Sequence, residues 1–319
     1  MTVASIPCNL CGNTEVEVIG DTDRKGKPLR TVICRTCGLV WTDPRPDATA
    51  NREYYAEHYR IHYKATHQPK LKHVYRETLR AMERFRRIEP LLSPGMRLLD
   101  VGAGGGFFPY TVKQRGYTIE GIEPNLGFAA YASEVLQLDI QAGFLQDFDF
   151  AEGSFDIITL NHVLEHLEDP GAALCRLWRW IRPGAYLNLE VPNIEATYHA
   201  PGHRYHLAHL YNFNPVNLER LARKAGYLVY DQRLMPGTRH INLILQRPEG
   251  PAQAPADLTI PGNYQRIMAL LERHTALRHY LSPRVYTRFV RKQFAYLGEK
   301  IAVRRFHDAR ELADSLLAR

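Results

Sequence analysis

Nowhere in the 319 residues is there an unbroken apolar run of about 18, the length a helix needs to cross a bilayer. The N-terminus, MTVASIPCNLCG, also lacks the basic-then-apolar layout of a secretory signal. These two absences lead us to expect a cytoplasmic protein. Cysteine is scarce, five in all, and four of them fall within the first 37 residues, so the body of the chain has no disulfide framework to draw on. Hydrophobic residues make up 45% and charged residues 24%, enough apolar surface to rule out a disordered, charge-dominated chain. A basic excess is missing from most of the molecule. The net charge of +7 belongs wholly to residues 263–319, which carry 12 Lys+Arg against 5 Asp+Glu, while the other 262 residues carry 29 of each. A basic footprint for nucleic acid is therefore absent from the main body.

What is present starts with the cysteines. They form two pairs, Cys8-Asn-Leu-Cys11-Gly and Cys34-Arg-Thr-Cys37-Gly, with 22 residues between them. In a reducing compartment this spacing reads as a zinc site rather than as two redox pairs. Gly12 and Gly38 supply the backbone freedom that each turn requires. Four thiolates close a tetrahedron and leave no open position, so Cys8, Cys11, Cys34 and Cys37 predict a structural ion that does not activate water. The intervening stretch predicts two short strands around a polar turn. Cys175 stands alone in an apolar, helix-like stretch and is expected to be a buried core thiol.

Residues 41–95 lead away from this ribbon. A Pro-rich exit is followed by NREYYAEHYRIHYK, dense in Tyr and His, a candidate lid. Val74, Leu79, Met82, Phe85 and Ile88 then recur near helical spacing with Arg opposite, which predicts a helix packed on the main domain.

A nucleotide-binding pattern opens at Met96. An apolar strand ends in Asp100, Gly102, Gly104, Gly105 and Gly106 follow, and then an apolar helix begins. Such a turn lets a ligand lie against bare backbone at a helix N-terminus. Position 107 is Phe, so the dinucleotide pattern G-x-G-x-x-G is not met. A carboxylate at Asp100 would meet a cationic or hydroxyl-bearing ligand and repel a pyrophosphate. The next strand ends in Glu123, placed to accept from both hydroxyls of a ribose, although a salt-bridged surface would also put an acid there. Strands and helices alternate onward, which calls for a parallel sheet with helices on both faces.

With LLDVGAGGGFF, the strand end at Glu123, SFDIITLNHVLEHLEDP, AYLNLEVPN and FNPVNLERLARKAGYLVYD on the page, residues 90–247 resemble the class I S-adenosylmethionine (SAM)-dependent methyltransferases. The resemblance implies an α/β fold: a Rossmann-like seven-stranded methyltransferase sheet with helices on both faces, its last strand antiparallel near RHINLILQ. It implies that Asp100, Gly102, Gly104 and Gly106 receive the methionine part of SAM, that Glu123 and Pro124 hold the ribose, and that Asn161 and His162 close the pocket near the methyl group. Many members place an acid after the third strand for the adenine amino group; here Phe144 and Leu145 stand there, and Asp147 is the nearest substitute. A four-cysteine element fused to this domain is similar to a subgroup that modifies sugars and natural products.

Methyl transfer from a sulfonium requires in-line placement of the acceptor, and an oxygen or carbon acceptor usually also needs a base. The candidates are His162, Glu165 and His166 after the fourth strand, and His209, which matches a His recurring ahead of the final helix in similar methyltransferases. His209 is favoured as base and His162 second; Glu165 and His166 could equally brace the helix. His203, His206 and His209 are spaced so that a helix would keep them near one face, but no metal is assigned to them.

The layout expected is a zinc-binding ribbon at 1–48, a helical linker or lid at 49–95, the SAM-binding domain at 96–247, a Pro-rich linker at 248–262 and a basic helical tail at 263–319. In that tail Val285, Phe289, Phe294, Leu297 and Ile301 approach one stripe, expected to dock on the domain or on a second subunit as a homodimer; contact with an anionic membrane ranks second. The acceptor expected is a small molecule, a sugar or secondary metabolite. The alternative is an RNA methyltransferase gripping RNA with ribbon and tail. Against it, the fourth strand ends Asn161-His162-Val163-Leu164 without the Asn-Pro-Pro-aromatic signature of base-amino methylation. A non-enzymatic SAM-binding scaffold is the third reading.

Overall fold

A computed structural model of the chain describes residues 6–45, 69–235, 239–251 and 254–318. The candidate lid, NREYYAEHYRIHYK, lies outside the described residues. Two sheets are formed: four strands in the order β1-β2-β3-β9 and seven in the order β10-β11-β8-β7-β4-β5-β6. The chain divides into two compact units, one of residues 1–46 and 160–286 and the other of residues 47–159 and 287–319.

In the first unit, β1 (Val16–Thr22) and β2 (Pro28–Cys34) make an antiparallel hairpin, and β3 (Val40–Thr42) pairs with β2. Ile33, Val40 and Trp41 are fully buried. Asp169 caps α4 (Pro170–Trp180), its side chain accepting from the Ala172 amide, with Pro170 at the first turn where no amide is needed. The 12-residue β8 (Ile181–Pro192) follows. The strand β9 (Tyr211–Asn212) returns to the N-terminal ribbon as its fourth strand, pairing Val40 with Asn212 and Trp41 with Tyr211. Asn214 and Asn217 form a reciprocal capping box at the start of α5 (Pro215–Lys224). Then β10 (Leu228–Leu234) and β11 (His240–Gln246) run antiparallel to each other, and β11 runs antiparallel to β8.

The first tail helix, α6 (Asn263–Arg273), docks on the ribbon: Ile267 joins Ile33, Val40 and Ile194 in one buried cluster. Asn263 Nδ2 donates to the Cys37 carbonyl at 2.8 Å, and its Oδ1 accepts from Asn214 at 2.8 Å. Gly38, at φ +73°, has no room for a Cβ, which would meet Asn263 Nδ2 at 2.7 Å. A short helix, α7 (Ala276–Leu281), completes this unit's helices.

In the second unit, α1 (Leu71–Ile88) packs on α2 (Phe107–Gln114). The strands β4 (Arg97–Val101), β5 (Thr118–Glu123) and β6 (Asp139–Ala142) are parallel, with α3 (Leu126–Glu134) between the last two. Four consecutive buried residues in β4 and six in β7 (Phe155–Asn161) are what a strand covered on both faces shows. Two later helices are α8 (Pro283–Val303) and α9 (Ala309–Leu317), the latter packing on α1 and α2. Tyr110 of α2 donates a hydrogen bond to Asp314 of α9.

Four sequence expectations are corrected. In α1 the buried face uses Val74, Thr78, Ala81, Met82, Phe85 and Ile88, and Leu79 is exposed, because Thr78 lies on the helical spacing from Val74 and Leu79 one position off it. Cys175 is exposed: α4 buries Ala173, Leu174, Leu177 and Trp180, and Cys175 follows Leu174 onto the outer side. Only Pro201–His203 is helical, as a single tight turn, so no continuous helix carries His203, His206 and His209. Finally, Phe289, Phe294, Leu297 and Ile301 of α8 face outward instead of docking on the domain.

Asn263→Ala should destabilise the protein by about 1–3 kcal/mol, since it takes the Asn263 donor from the buried Cys37 carbonyl and leaves the Asn214 side-chain amide with Glu195 as its one remaining acceptor. Urea denaturation measures this, and a change below about 0.5 kcal/mol would show that the ribbon does not depend on this bridge.

Candidate active site

The second unit carries a glycine cradle. Gly102 and Gly104 adopt φ of +77° and +58°, and Gly106, at +80°, would press a Cβ to within 2.7 Å of Ala132 Cβ. Backbone thus lies bare where β4 turns into α2. Glu123, buried at the end of β5, accepts from the Gly104 amide at 2.7 Å through Oε2 and from the Asn125 amide at 3.0 Å through Oε1. Each oxygen keeps a lone pair for a ligand hydroxyl. Asp100 is 3% exposed and accepts from the Thr159 hydroxyl at 2.5 Å. Burial raises its pKa to about 7 in spite of that hydrogen bond, so a ligand cation would find a carboxylate ready to ionise against it. Gly143 donates its amide to the Glu123 carbonyl at 3.1 Å, and Phe144 and Leu145 follow it in the chain. Asp147 turns inward on its own loop, accepting from the Phe144 amide at 2.9 Å. Pro124 directly follows Glu123, half-buried just past the strand end.

The first unit carries a cluster of imidazoles and carboxylates. His162 takes the left-handed conformation, φ +56°, unusual for a side-chain-bearing residue, and its amide donates to the Glu190 carbonyl at 2.8 Å. The ring of His162 lies between two buried acids, Nε2 at 2.9 Å from Glu190 and Nδ1 at 3.3 Å from Glu165. Burial disfavours the imidazolium, but hydrogen bonds to Glu165 and Glu190 outweigh it and raise the pKa of His162 to about 9. Burial would likewise raise Glu165, yet the charges of His166 and His162 hold it at about 2. At neutral pH His162 is therefore a proton donor and a poor base.

His166 Nδ1 lies 2.7 Å from the Ala208 carbonyl, which fixes the proton on that nitrogen and turns Nε2 towards Glu165, 3.7 Å away. The His209 ring sits against both His166 and His206, each pair with centroids 5.0 Å apart. Burial lowers the pKa of His209 well below the ordinary imidazole value, and neighbouring His166 adds to the effect. His209 is thus a neutral imidazole. The segment holding it is tied to the ribbon: Thr42 donates its amide to the Leu210 carbonyl at 2.9 Å, and Arg45 bonds both the Glu168 carbonyl and the Tyr211 hydroxyl.

Among the described residues, Glu165 Oε2 and Asn161 Oδ1 are buried without a hydrogen-bond partner. Two residues of this cluster escaped the sequence reading. Glu190 near the end of β8 and His240 at the start of β11 lie 3.6 Å apart, and the His240 ring packs edge-on against His162 at 4.5 Å. Ligand atoms of His162, Glu190 and His240 fall within 4.8 Å of one another, as do those of Glu165, His166 and His209. At 2.9 Å, however, His162 and Glu190 are bonded directly to each other.

The four N-terminal cysteines converge as their spacing required. Their sulfurs lie within 4.8 Å of one another, with Cys8–Cys37 at 3.4 Å and Cys11–Cys34 at 3.5 Å. All four are free thiols, and a tetrahedral zinc–thiolate site has sulfurs about 3.8 Å apart, so the donor set fits such an ion. Lys224 of α5 clamps the first turn, donating to the Asn9 and Leu10 carbonyls at 2.8 and 2.9 Å.

A family model described as a methyltransferase domain matches residues 71–232. Curated relatives include the ubiquinone biosynthesis O-methyltransferase of Pseudomonas aeruginosa, 32% identical over 108 residues, a match that covers 31% of this chain and 45% of the relative. The protein of the same name from Thiobacillus denitrificans is 28% identical over 153 residues, covering 41% of this chain and 64% of the relative. The chain thus spans about half the length of these relatives. Among solved structures, a SAM dependent methyltransferase from Archaeoglobus fulgidus superimposes with a TM-score of 0.45 at 17% identity, over 53% of this chain and 94% of that one.

Glu190→Gln should let the His162 titration fall from about 9 towards the ordinary imidazole value near 6.5. NMR of ring-labelled histidine reads this directly. A wild-type His162 already titrating near 6.5 would contradict the ion-pair assignment.

Proposed function

Because the chain belongs to the methyltransferase-domain family, we propose that it moves a methyl group from SAM to a hydroxyl of a small molecule, with His209 as the base. The observation that carries this reading is the Glu165–His166–His209 series, which ends in a neutral, half-buried imidazole beside an ionised carboxylate. An oxygen acceptor is supported by the relatives, whose names specify O-methylation. It is supported also by the buried, unpartnered Glu165 Oε2 and Asn161 Oδ1, both of which can accept from a hydroxyl and neither of which can donate through that atom. A sugar or secondary-metabolite hydroxyl is the acceptor class we assign; a carbon acceptor has no corresponding observation.

When bound, SAM supplies an electrophilic methyl on a positively charged sulfur. The chain's own work is then to bind, orient and deprotonate. Glu123 holds the ribose hydroxyls while Gly102, Gly104 and Gly106 keep side chains out of the way. Asp100 faces the cationic amino-acid end. His209 would take the proton of an acceptor hydroxyl held in line with the methyl group. Ionised Glu165 stabilises the imidazolium so formed, and the Ala208 carbonyl fixes the orientation of the His166 ring beside them. His162, already charged, serves as a hydrogen-bond donor and brace for the two acids. Orientation of this kind contributes on the order of 7–11 kcal/mol, and the base a further 10²–10⁴-fold. We further propose that Cys8, Cys11, Cys34 and Cys37 hold a structural zinc ion that stabilises the ribbon and takes no part in the transfer.

A pH dependence follows from Asp100. Its raised pKa, about 7, belongs to the ligand-free protein. A bound ammonium favours the ionised carboxylate, so binding releases a proton at pH below 7 and weakens as pH falls. Calorimetry with S-adenosylhomocysteine should show roughly tenfold weaker binding at pH 6 than at pH 8, and Asp100→Asn should abolish that difference.

His209→Gln should lower kcat by about 10²–10⁴ on a hydroxyl acceptor while S-adenosylhomocysteine affinity stays unchanged. The acceptor can be found by screening phenols and sugars for transfer of a labelled methyl. Full turnover in the variant would remove His209 from the mechanism.

A further inference from the structure

The helix α8 has a face that neither the ribbon nor the methyl-transfer site explains. Its inner side is anchored within the second unit. Arg76 of α1 binds the Glu299 carboxylate through two nitrogens, and its guanidinium lies over the Tyr296 ring at 4.6 Å. On the opposite side Val290, Phe294, Leu297 and Ile301 follow one another at intervals of four, three and four residues, the spacing of a single helical stripe. All are exposed, by 50%, 70%, 55% and 58%. No residue of this 21-residue helix is buried. Four large apolar side chains held in water along one stripe mark an interaction surface.

Charge selects the occupant. Exposed Arg291 and Lys300 stand on either side of the stripe and Arg304 and Arg305 follow the helix directly, while its one acid, Glu299, is engaged by Arg76. A second copy mated on this face would bring the same cations against these. An anionic lipid surface offers the complement to both features, acyl chains for the stripe and headgroup phosphates for the flanking cations, whose stems are long enough to reach up from a partly immersed helix. We propose that α8 is a membrane-surface helix that seats its Val290–Phe294–Leu297–Ile301 stripe into an anionic leaflet, in the plane of the interface. Its length and composition do not suit crossing: no helix among the described residues is long and apolar enough to span a bilayer. This inference stands apart from the proposed reaction, because Val290, Phe294, Leu297 and Ile301 are not among the residues assigned to methyl transfer.

The test is co-sedimentation of the full chain with vesicles of phosphatidylcholine alone or mixed with phosphatidylglycerol. Binding should be at least about tenfold stronger to the anionic vesicles and should fall as salt is raised from about 50 to 500 mM, where screening shortens to a few ångströms. The double variant Phe294→Ser, Leu297→Ser should lose at least about tenfold in vesicle binding while its circular dichroism and its S-adenosylhomocysteine affinity stay as in the wild type, since both side chains are exposed. Arg291→Glu with Lys300→Glu should remove the preference for anionic lipid. Equal recovery with both vesicle types, or undiminished binding by the serine variant, would overturn the proposal. So would a wild-type dimer in light scattering that the serine variant converts to monomer, because the stripe would then belong to a second copy.

Discussion

Two carboxylates buried in the first unit, Glu165 and Glu190, set the terms for everything around them. A buried acid without cations is unsustainable, and here His162 bridges both. That requirement accounts for the left-handed backbone at His162, which turns its ring back between the acids, and for the orientation of His166 through the Ala208 carbonyl. Removing one partner of such a group typically costs about 3–5 kcal/mol because the other charge is stranded. The cluster therefore behaves as one unit in which each side chain fixes the charge state of the next. The cluster thereby holds one imidazole, His162, charged and another, His209, neutral.

The neutral imidazole is the consequential one. His209 sits on irregular backbone after β8, where a polar loop would ordinarily wander. It is held because the residues after it, Tyr211 and Asn212, are a strand of the N-terminal ribbon, and because Arg45 bonds the Tyr211 hydroxyl. The cysteine element thus has a positioning task as well as its own fold. Small elements of this kind rarely bury enough to stand alone, and a metal is the usual supplement.

Much of this was legible from the chain. The cysteine spacing, the glycine turn with Asp100 and Glu123, and the alternation of strands and helices each depend on short-range patterns, and each appears where expected. The same held for His162, Glu165, His166 and His209 as members of one neighbourhood, though not for their charge states, which depend on burial. Glu190 and His240 were missed for a clear reason. Each sits in a strand of mixed apolar and polar residues with no motif of its own, beside Asn188 in β8 or Asn242 in β11, and the β8–β11 pairing that brings them together joins segments about fifty residues apart. The tail shows a different limit. Periodicity found Phe294, Leu297 and Ile301 of the α8 stripe but grouped them with Val285 and Phe289, more than about 100° round the helix, and passed over Val290. It also carried no information on which side would meet protein, where Tyr296 and Glu299 form the inner face against Arg76. Cys175 and Leu79 failed by one position each, which on a helix is a rotation of about 100°.

The ribbon's fourth strand has a consequence in time. Val40 and Trp41 leave the ribosome about 170 residues before Tyr211 and Asn212, the residues they pair with. At about 5–20 residues per second, the first three strands wait roughly 10–30 s for their edge to be covered. Throughout that interval β3 presents an unpaired strand edge in the nascent chain, the kind of edge that recruits neighbouring strands. The four thiols lie wholly within the waiting segment. An ion taken up there would close the ribbon before synthesis reaches the strand that completes it, making metal supply during translation a determinant of how much of the protein folds.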